Sequence, residues 1–284
     1  DYGTETAKQL LIASLDTPPL TVRVNTLKIS AEELAGKLKE QEITAETSGD
    51  RDAFILKHCS DISENKLYRE GLFYAQDLAS QRAVGAADPK PGERGLDICA
   101  APGGKSLLAC QLMENDGYIL ANDLYPHKAK LIKKNAEGYG AGIIHTSCFD
   151  ASEYDESLSE SFDYIICDVP CSGLGIIRKK PDIRFKSPDE LEALTDIQKN
   201  ILNTACRYLK KGGRIGGAAA LFGTILPSEN EDQVNDFLNA HPDFRLVPFN
   251  LNGREEAGYK TFLPHRDGTD GFFIALLERR HQPC

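Results

Sequence analysis

The apolar and polar positions in the first third of the chain form short alternating and helical patterns. Alternation typical of half-buried strands occurs in three segments, 19–28, 43–48 and 53–58. Apolar residues at helical spacing occupy two further segments, 5–15 and 30–39. Ser30 and Glu33 have the spacing of a capping box, which predicts that the second helix begins there. These patterns predict a small α+β domain over residues 1–88.

A regular succession of strands and helices follows. The segment 72–88 has the pattern of a strand that runs into a helix, and a Pro- and Gly-rich break follows at 89–92. Apolar runs typical of buried strands lie at 95–99, 118–123, 142–147, 162–167 and 272–278. Helical patterns lie at 105–114, 126–139, 189–209 and 228–241. We expect the pair Gly212-Gly213 to end the third of these helices. Alternating strands and helices predict a doubly wound parallel α/β sheet over residues 89–284.

Composition narrows the class of protein. Hydrophobic residues make up 41% of the 284-residue chain and charged residues 27%, which is ordinary for a globular protein, and no apolar run approaches a membrane span. The eight cysteines are scattered, which favours a reducing, cytoplasmic compartment, and no Cys or His pairing completes a metal site. The chain has neither an initiator Met nor a signal-peptide pattern, so we expect a piece of a longer protein. We also expect a monomer.

The distribution of charge bears on possible partners. A net charge of −10 argues against indiscriminate binding to nucleic acid. Two stretches are locally basic although the chain as a whole is acidic: 177–186 carries five basic residues, and 124–134 carries four lysines. Either stretch alone is typical of a solvated loop or helix face. Since each comes directly after a candidate site loop, together they favour an anionic substrate.

A glycine-rich loop joins the first strand of the predicted sheet to its first helix. Its sequence, AAPGGKS over 100–106, lets the backbone approach a ligand at Gly103 and Gly104. The helix that begins there offers N–H groups to a carboxylate or a ribose hydroxyl. The loop has neither the GxGxxG pattern of dinucleotide-binding folds nor the GxxxxGK[ST] pattern of P-loops, which argues against both classes of cofactor.

Three acids follow the next three strands of the same sheet. Asp123, Asp150 and Asp168 each come where a strand ends, and the carboxyl ends of parallel strands meet at one edge. Any one of them could instead be a turn or helix-cap residue, but all three in register with the glycine loop indicate a pocket. Carboxylates suit ribose hydroxyls and positive charge, so S-adenosylmethionine fits better than a pyrophosphate cofactor, which the acids would repel.

The run Asp168-Val169-Pro170-Cys171 places an acid and a thiol together beyond the fourth strand. A thiol can attack an electron-poor ring, and an acid can stabilise the charge that develops. The alternative for Cys171 is a buried cysteine before a turn.

Four motifs together resemble one family. LDICAAPGGKS (96–106), ANDLYPHK (121–128), DVPCSGLGIIRKKPDIRF (168–185) and LPHRDGTDGFFIALL (263–277) are similar to the Sun-type (NSUN) RNA cytosine-5 methyltransferases, in particular to the bacterial branch that modifies small-subunit ribosomal RNA. The segments 19–28 and 74–81 resemble the part of the family that precedes the catalytic core. The likeness covers almost the whole chain.

The resemblance implies a fold, a cofactor and a substrate. The fold is the Rossmann-like, seven-stranded methyltransferase fold with a reversed last strand near 272–278. The residues implied to bind S-adenosylmethionine are Cys99, Ala100, Ala101, Pro102, Gly103, Gly104, Lys105, Asp123, Asp150 and Asp168. The residues that we expect to contact ribosomal RNA are Arg23, Arg178, Lys179, Lys180 and Arg184. No metal is expected.

In the mechanism that the resemblance implies, a thiolate adds to carbon six of cytosine and carbon five then takes the methyl group. Asp168 hydrogen bonds to N3 of the ring, and Lys105 lowers the pKa of a nearby thiol. A base removes the proton from carbon five before the thiol leaves. The family uses two cysteines for this: the one matching Cys171 assists product release, and the nucleophile lies in a Thr-Cys motif just before a segment like ILPSENE (225–231).

The sequence departs from the family at this nucleophile. The residues before ILPSENE read GGAAALFGT (216–224), the matching position falls near Gly223, and no cysteine lies between Cys206 and Cys284. Three accounts follow: an altered version of an active enzyme, a protein that binds cofactor and RNA without transferring methyl, or an enzyme in which Cys171 is itself the nucleophile. A small-molecule methyltransferase on the same fold is a further alternative, against which the basic stretch 177–186 speaks.

Overall fold

The computed structural model describes residues 2–59, 61–216 and 224–281, apart from the side chains of 188–192. The α-helices of these residues are α1 (Gly3–Ala13), α2 (Ala31–Glu40), α3 (Lys66–Arg69), α4 (Leu78–Ala87), α5 (Gly104–Leu112), α6 (Pro126–Tyr139), α7 (Pro188–Tyr208), α8 (Glu231–Ala240) and α9 (Pro264–Asp267). The strands are β1 (Leu20–Val24), β2 (Thr44–Thr47), β3 (Ala53–Lys57), β4 (Phe73–Ala75), β5 (Arg94–Asp97), β6 (Tyr118–Asn122), β7 (Ile144–Ser147), β8 (Phe162–Ile166), β9 (Leu209–Gly216), β10 (Phe244–Leu246), β11 (Phe249–Leu251), β12 (Arg254–Glu256), β13 (Tyr259–Phe262) and β14 (Phe272–Arg279).

The first part of the chain forms a four-stranded antiparallel sheet in the order β2-β3-β1-β4. Helix α2 begins at the predicted capping box, since the Ser30 side chain accepts from the Glu33 N–H and the Glu33 side chain accepts from the Ser30 N–H. Leu34 and Leu38, one turn apart on this helix, are fully buried in the core of the small sheet. The predicted α+β character of this part of the chain is confirmed.

Strand β1 is shorter than the alternation over 19–28 predicts. It ends at Val24, because Asn25 turns the chain and accepts a backbone hydrogen bond from the Lys28 N–H. The Asn25 side chain then donates to the Gly71 and Tyr139 carbonyl oxygens. The turn therefore joins the small sheet to the end of α6, the helix that connects β6 and β7 of the larger sheet.

The larger sheet contains the predicted parallel strands. Its order is β10-β14-β9-β8-β5-β6-β7, with β13 also paired to β14. Strands β9, β8, β5, β6 and β7 run parallel, and β14 runs antiparallel to β9, as the predicted reversed last strand does. The chain leaves β5 toward β6 and β7 on one side and later returns to β8 on the other, so the strand order reverses at β5.

The pair Gly212-Gly213 lies inside β9 and does not end a helix, which corrects the prediction. Helix α7 ends at Tyr208, and the strand starts directly at Leu209. The pairing of β9 with β8 shifts between Phe162 and Tyr164, so a bulge absorbs the extra residues of β9. Gly212 has φ +76 within this bulge, a backbone conformation that L side chains rarely adopt.

Candidate active site

A cavity of about 700 Å³ opens at the carboxyl ends of β5, β6 and β8, at the point where the strand order reverses. Its wall contains half of the sixteen site residues named from the sequence, namely Cys99, Ala101, Lys105, Asp123, Asp168, Cys171, Lys179 and Lys180. The wall also contains residues that the sequence patterns did not single out, among them Asp77, Lys128, Lys186, Asp270 and Phe272. The expectation of one pocket at this edge of the sheet therefore agrees with the geometry.

The glycine loop shapes the floor of the cavity. Gly103 has φ +104 and precedes the first turn of α5, so a side chain would be strained there whatever the space around it. The Gly103 N–H donates to the Ala100 carbonyl oxygen at 2.7 Å, and the Ala100 N–H donates to the Asn122 carbonyl oxygen, also at 2.7 Å. The Gly104 carbonyl accepts from the Gln76 side chain. Ala100, Pro102, Gly103 and Gly104 thus build the turn, while Cys99, Ala101 and Lys105 form the wall.

An ion pair between Lys105 and Asp168 crosses the cavity floor. The Lys105 Nζ and the Asp168 Oδ2 are 2.5 Å apart, and the two side chains are 16% and 30% exposed. Burial lowers the pKa of Lys105, but the charge of Asp168 and its hydrogen bond outweigh burial, so the pKa is raised. Cys171 also contributes to the field at this ammonium. The site therefore holds a fixed cation beside both the acid and the thiol.

The cysteines around the cavity differ in their surroundings. Burial, followed by the charge of Asp168, raises the pKa of the Cys99 thiol, and burial raises that of Cys167 well above its usual value. Both are therefore neutral thiols at physiological pH and poor nucleophiles. Cys171 is half-buried and lies on the cavity wall. Among the described cysteines, it is the one best placed to react.

Asp97, at the end of β5, lies buried beneath the glycine loop. Its Oδ2 accepts from the Ser106 hydroxyl at 2.6 Å, whereas its Oδ1 has no hydrogen-bond partner. Burial raises the pKa of this carboxyl to about 7, although the Ser106 hydrogen bond and the charge of Lys105 oppose the rise. Asp97 therefore carries a proton over much of the range in which an isolated aspartate is ionised.

The two other predicted acids differ in position. Asp123 is buried on the cavity wall, where one carboxylate oxygen accepts from the Tyr125 N–H at 3.2 Å and lies 3.7 Å from the Lys128 Nζ. Asp150 is not part of that wall. It accepts from the N–H and the hydroxyl of Ser152 in its own turn, and these hydrogen bonds lower its pKa. The structure thus places Asp123 and Asp168 together but leaves Asp150 aside.

The basic residues expected at the RNA surface fall into two groups. Arg23 is 7% exposed, and its guanidinium donates to the Arg51 carbonyl oxygen and to the Gln111 side chain. These bonds commit the guanidinium within the protein, to the loop before β3 and to Gln111 on α5, and so speak against the expected contact of Arg23 with RNA. The Arg178 side chain is 8% exposed and donates to Asp270 at 2.6 Å, so its guanidinium is already paired within the protein.

Three of the expected cations remain accessible. Lys179 is a third exposed and pairs with Asp77 and Asp270, whereas Lys180 and Arg184 are exposed. Burial and then the like charge of Asp270 raise the pKa of Asp77, which Lys179 opposes. Asp77 and Asp270 lie far from the basic stretch in sequence. No local signal could have shown that they neutralise part of it.

A buried carboxylate behind the cavity links three segments. Glu229 is fully buried and accepts from the Ser172 N–H at 2.8 Å, the Ser172 and Thr224 hydroxyls at 2.5 Å each, and the Gln198 side-chain amide at 3.0 Å. It therefore joins the loop that carries Cys171 to the residue that follows the expected nucleophile position. That position, near Gly223, lies outside the described residues, as do residues 217–223 as a whole.

Residues 2–59, 61–216 and 224–281 contain no group of three or more His, Cys, Asp or Glu side chains that could hold a metal ion. Within the same residues, no helix is long and apolar enough to cross a membrane.

The chain was compared with known families and proteins. Residues 84–278 match the family described as 16S rRNA methyltransferase RsmB/F, and residues 1–63 match the RsmF/B-like ferredoxin-like domain. A probable ribosomal RNA small subunit methyltransferase B from Bacillus subtilis is 36% identical over 293 residues, which cover 98% of this chain and 64% of that protein. The chain thus spans a little under two thirds of the length of this relative.

Two solved structures have the same fold. A methyltransferase homolog protein from Pyrococcus horikoshii superposes with a TM-score of 0.83 at 28% identity, over 97% of this chain and 91% of that one. NSun6 from Pyrococcus horikoshii, crystallised with SFG, superposes with a TM-score of 0.85 at 21% identity, over 99% of this chain and 96% of that one. The predicted Rossmann-like methyltransferase fold is confirmed.

Proposed function

Because the chain belongs to the RsmB/F (Sun-type) family of 16S rRNA methyltransferases, we propose that it transfers a methyl group from S-adenosylmethionine to carbon five of a cytosine in small-subunit ribosomal RNA. The observation that carries the proposal is the shared cavity wall of Asp168 and Cys171, with Lys105 paired to the acid. An acid, a cation and a thiol at one strand end are the groups that covalent activation of a pyrimidine needs. Such an enzyme would act in the cytoplasm as a monomer, with a boundary between its two domains near residue 88.

The cavity fits S-adenosylmethionine in size and charge. A volume of about 700 Å³ suffices for a nucleoside cofactor together with a base. The Asp123 carboxylate would accept hydrogen bonds from the ribose hydroxyls. The turn built by Gly103 and Gly104 would hold the rest of the cofactor against the floor of the cavity. When bound, the cofactor supplies a methyl group made electrophilic by its sulfonium. Asp150 would contact the adenine only if its hydrogen bonds to Ser152 were exchanged.

The residues of the chain itself prepare the cytosine. Asp168 would accept a hydrogen bond from the N3–H of the protonated base and so stabilise the ring as it loses aromaticity. Lys105 keeps Asp168 in place through their ion pair at the cavity wall that Cys171 shares.

Two functions are compatible with a glycine at position 223. We propose that Cys171 is then either the nucleophile of an active enzyme or a cysteine in a protein that binds RNA and cofactor without turnover. A catalytically impaired member that binds RNA and cofactor is therefore the alternative function. It draws support from the absence of any cysteine between Cys206 and Cys284.

A methyl-transfer assay separates these readings. Tritiated cofactor and ribosomal RNA from a strain lacking the enzyme are incubated with the wild type, Cys171→Ala and Gly223→Cys. A wild type that transfers methyl and loses all transfer in Cys171→Ala assigns the attack to Cys171. An inactive wild type and an active Gly223→Cys variant identify an impaired enzyme whose site is otherwise complete.

Failure of all three proteins to label RNA that they bind would refute the proposed transfer and leave a binding protein. Gel shifts with a ribosomal RNA fragment test the small-molecule alternative. Salt-sensitive binding that weakens when Lys180 and Arg184 become Ala would exclude it. Unchanged mobility of the fragment at all protein concentrations would instead support a small-molecule substrate.

A further inference from the structure

Phe185 is an exposed aromatic residue beside the cavity. Its exposed fraction is 75%, whereas most other phenylalanines of the described chain are buried. It ends a short 3₁₀ turn, Pro181–Phe185, within the basic stretch 177–186. A solvated turn has no need of a large apolar side chain, and exposing one without a partner is unfavourable.

The sequence neighbours of Phe185 contact the loop that carries Cys171. Ile183 is buried, and a methyl group placed on Gly173 would come within 2.8 Å of its Cδ1, so the two residues are in close contact. On the other side, the Lys186 Nζ donates to the Ser172 carbonyl oxygen at 2.8 Å. Ile183 and Lys186 both belong to the cavity wall. Phe185, which lies between them in sequence, is therefore close to the rim of the cavity, with its ring exposed to solvent.

The charges around the ring suit an anion. The Arg184 guanidinium carbon lies 5.0 Å from the centre of the Phe185 ring. Lys180 is exposed and belongs to the cavity wall, and Asp182 is the only acid in the stretch 177–186. An exposed aromatic ring flanked by arginine and lysine is the arrangement on which unpaired bases stack while the cations contact phosphates.

We propose that Phe185 and Arg184 form a stacking platform for an unpaired RNA base next to the cytosine that enters the cavity. This inference rests on the proposed function. A base that reacts inside a cavity has to leave its stack, and the base beside it then loses a neighbour. The exposed ring replaces that neighbour. Since every base has a flat face, the platform accepts any base and contributes affinity rather than sequence preference.

Fluorescence of 2-aminopurine tests the stacking directly. The probe is a 12-nucleotide single-stranded RNA with one cytosine flanked on both sides by 2-aminopurine, and its affinity is measured by anisotropy at two salt concentrations. We expect wild type to quench the fluorescence. Phe185→Ala should bind about 5- to 150-fold more weakly, as removal of one stacked aromatic does, and should no longer quench.

Matched variants separate stacking from other effects. Phe185→Tyr should retain affinity and quenching, whereas Phe185→Leu should behave like Phe185→Ala because it is apolar but not flat. The slope of the logarithm of the binding constant against the logarithm of the salt concentration should be shallower by about one in Lys180→Ala. The same slope should be unchanged in Phe185→Ala. Leu15→Ala, at another exposed apolar side chain (84% exposed), should match wild type in all respects.

Two results would overturn the inference, and they are distinguishable. If wild type binds the RNA but Phe185→Ala binds and quenches equally well, or Phe185→Leu matches Phe185→Tyr, stacking at Phe185 is refuted and the proposed function stands. If wild type binds neither this RNA nor a ribosomal RNA fragment, the proposed function fails and the platform fails with it.

Discussion

The buried carboxylate of Glu229 gives a quantitative prediction. Replacing it by alanine removes the acceptor of four hydrogen bonds, two from Ser172 and one each from Thr224 and Gln198. Not all four donors would be stranded. The Ser172 and Thr224 hydroxyls are 2.9 Å apart and can bond to each other, and the Gln198 amide also donates to the Pro170 carbonyl oxygen. The Ser172 N–H, in contrast, has no other partner.

The magnitude follows from this count. One stranded buried N–H costs about 1–3 kcal/mol, and the partial loss at Gln198 and the void left by the side chain add to it. Removal of a buried charge recovers part of its desolvation cost. We therefore expect Glu229→Ala to lower the free energy of unfolding by about 2–4 kcal/mol. Glu229→Gln should cost only about 1 kcal/mol, because its oxygen still accepts from Ser172 and Gln198 and its amide can donate to the two hydroxyls.

Urea denaturation measures both variants. The midpoint should fall in the order wild type, Glu229→Gln, Glu229→Ala, with an unchanged slope. Glu153→Ala, at an exposed glutamate, serves as the control and should stay within about 0.5 kcal/mol of wild type. A Glu229→Ala variant less than 1 kcal/mol below wild type, or a Gln variant as unstable as the Ala variant, would show that Glu229 does not hold these segments together.

Two further predictions concern the acids. Because the folded-state pKa of Asp97 is about 7, against about 3.8 for an unperturbed aspartate, the folded state binds this proton more tightly and stability falls as pH rises between these values. Asp97→Asn keeps an acceptor for Ser106 but cannot titrate. Between pH 5 and pH 8, the free energy of unfolding measured with urea should therefore fall by about 2–3 kcal/mol more in wild type than in this variant. Parallel pH profiles of the two proteins would contradict the burial argument. Asp123→Ala should weaken calorimetric binding of S-adenosylmethionine at least about tenfold, whereas Asp150→Ala should change it less than about twofold, because Asp150 is bonded to Ser152 away from the cavity wall. Equal losses would place both acids at the cofactor.

Local patterns predicted much of this fold. The capping box at Ser30 and Glu33 is a contact between residues three apart, so the sequence alone contains all of it. The strands that precede Asp123 and Asp168 are short and apolar, and their parallel arrangement follows from the helices between them. The meeting of these two acids at one edge of the sheet could therefore be predicted from spacing and topology.

Features that depend on distant partners could not be predicted in this way. Arg178 belongs to a basic stretch, and only the fold shows that its guanidinium donates to Asp270, 92 residues later, and is neutralised. The pair Gly212-Gly213 has the composition of a helix end, yet it lies in a bulge of β9, between residues on either side that pair with β8. Asp150 has the spacing of a ligand, whereas its hydrogen bonds to Ser152 are typical of a turn.

The place of β14 in the larger sheet determines when the cavity is completed during synthesis. This strand is the last of the described chain, yet it lies inside the sheet, between β9 on one side and β10 and β13 on the other. Asp270 and Phe272, at its beginning, are part of the cavity wall. Until they emerge from the ribosome, β9 has an open edge and the cavity lacks one side. The order of the strands therefore makes completion of the cavity one of the last steps in the synthesis of the described chain.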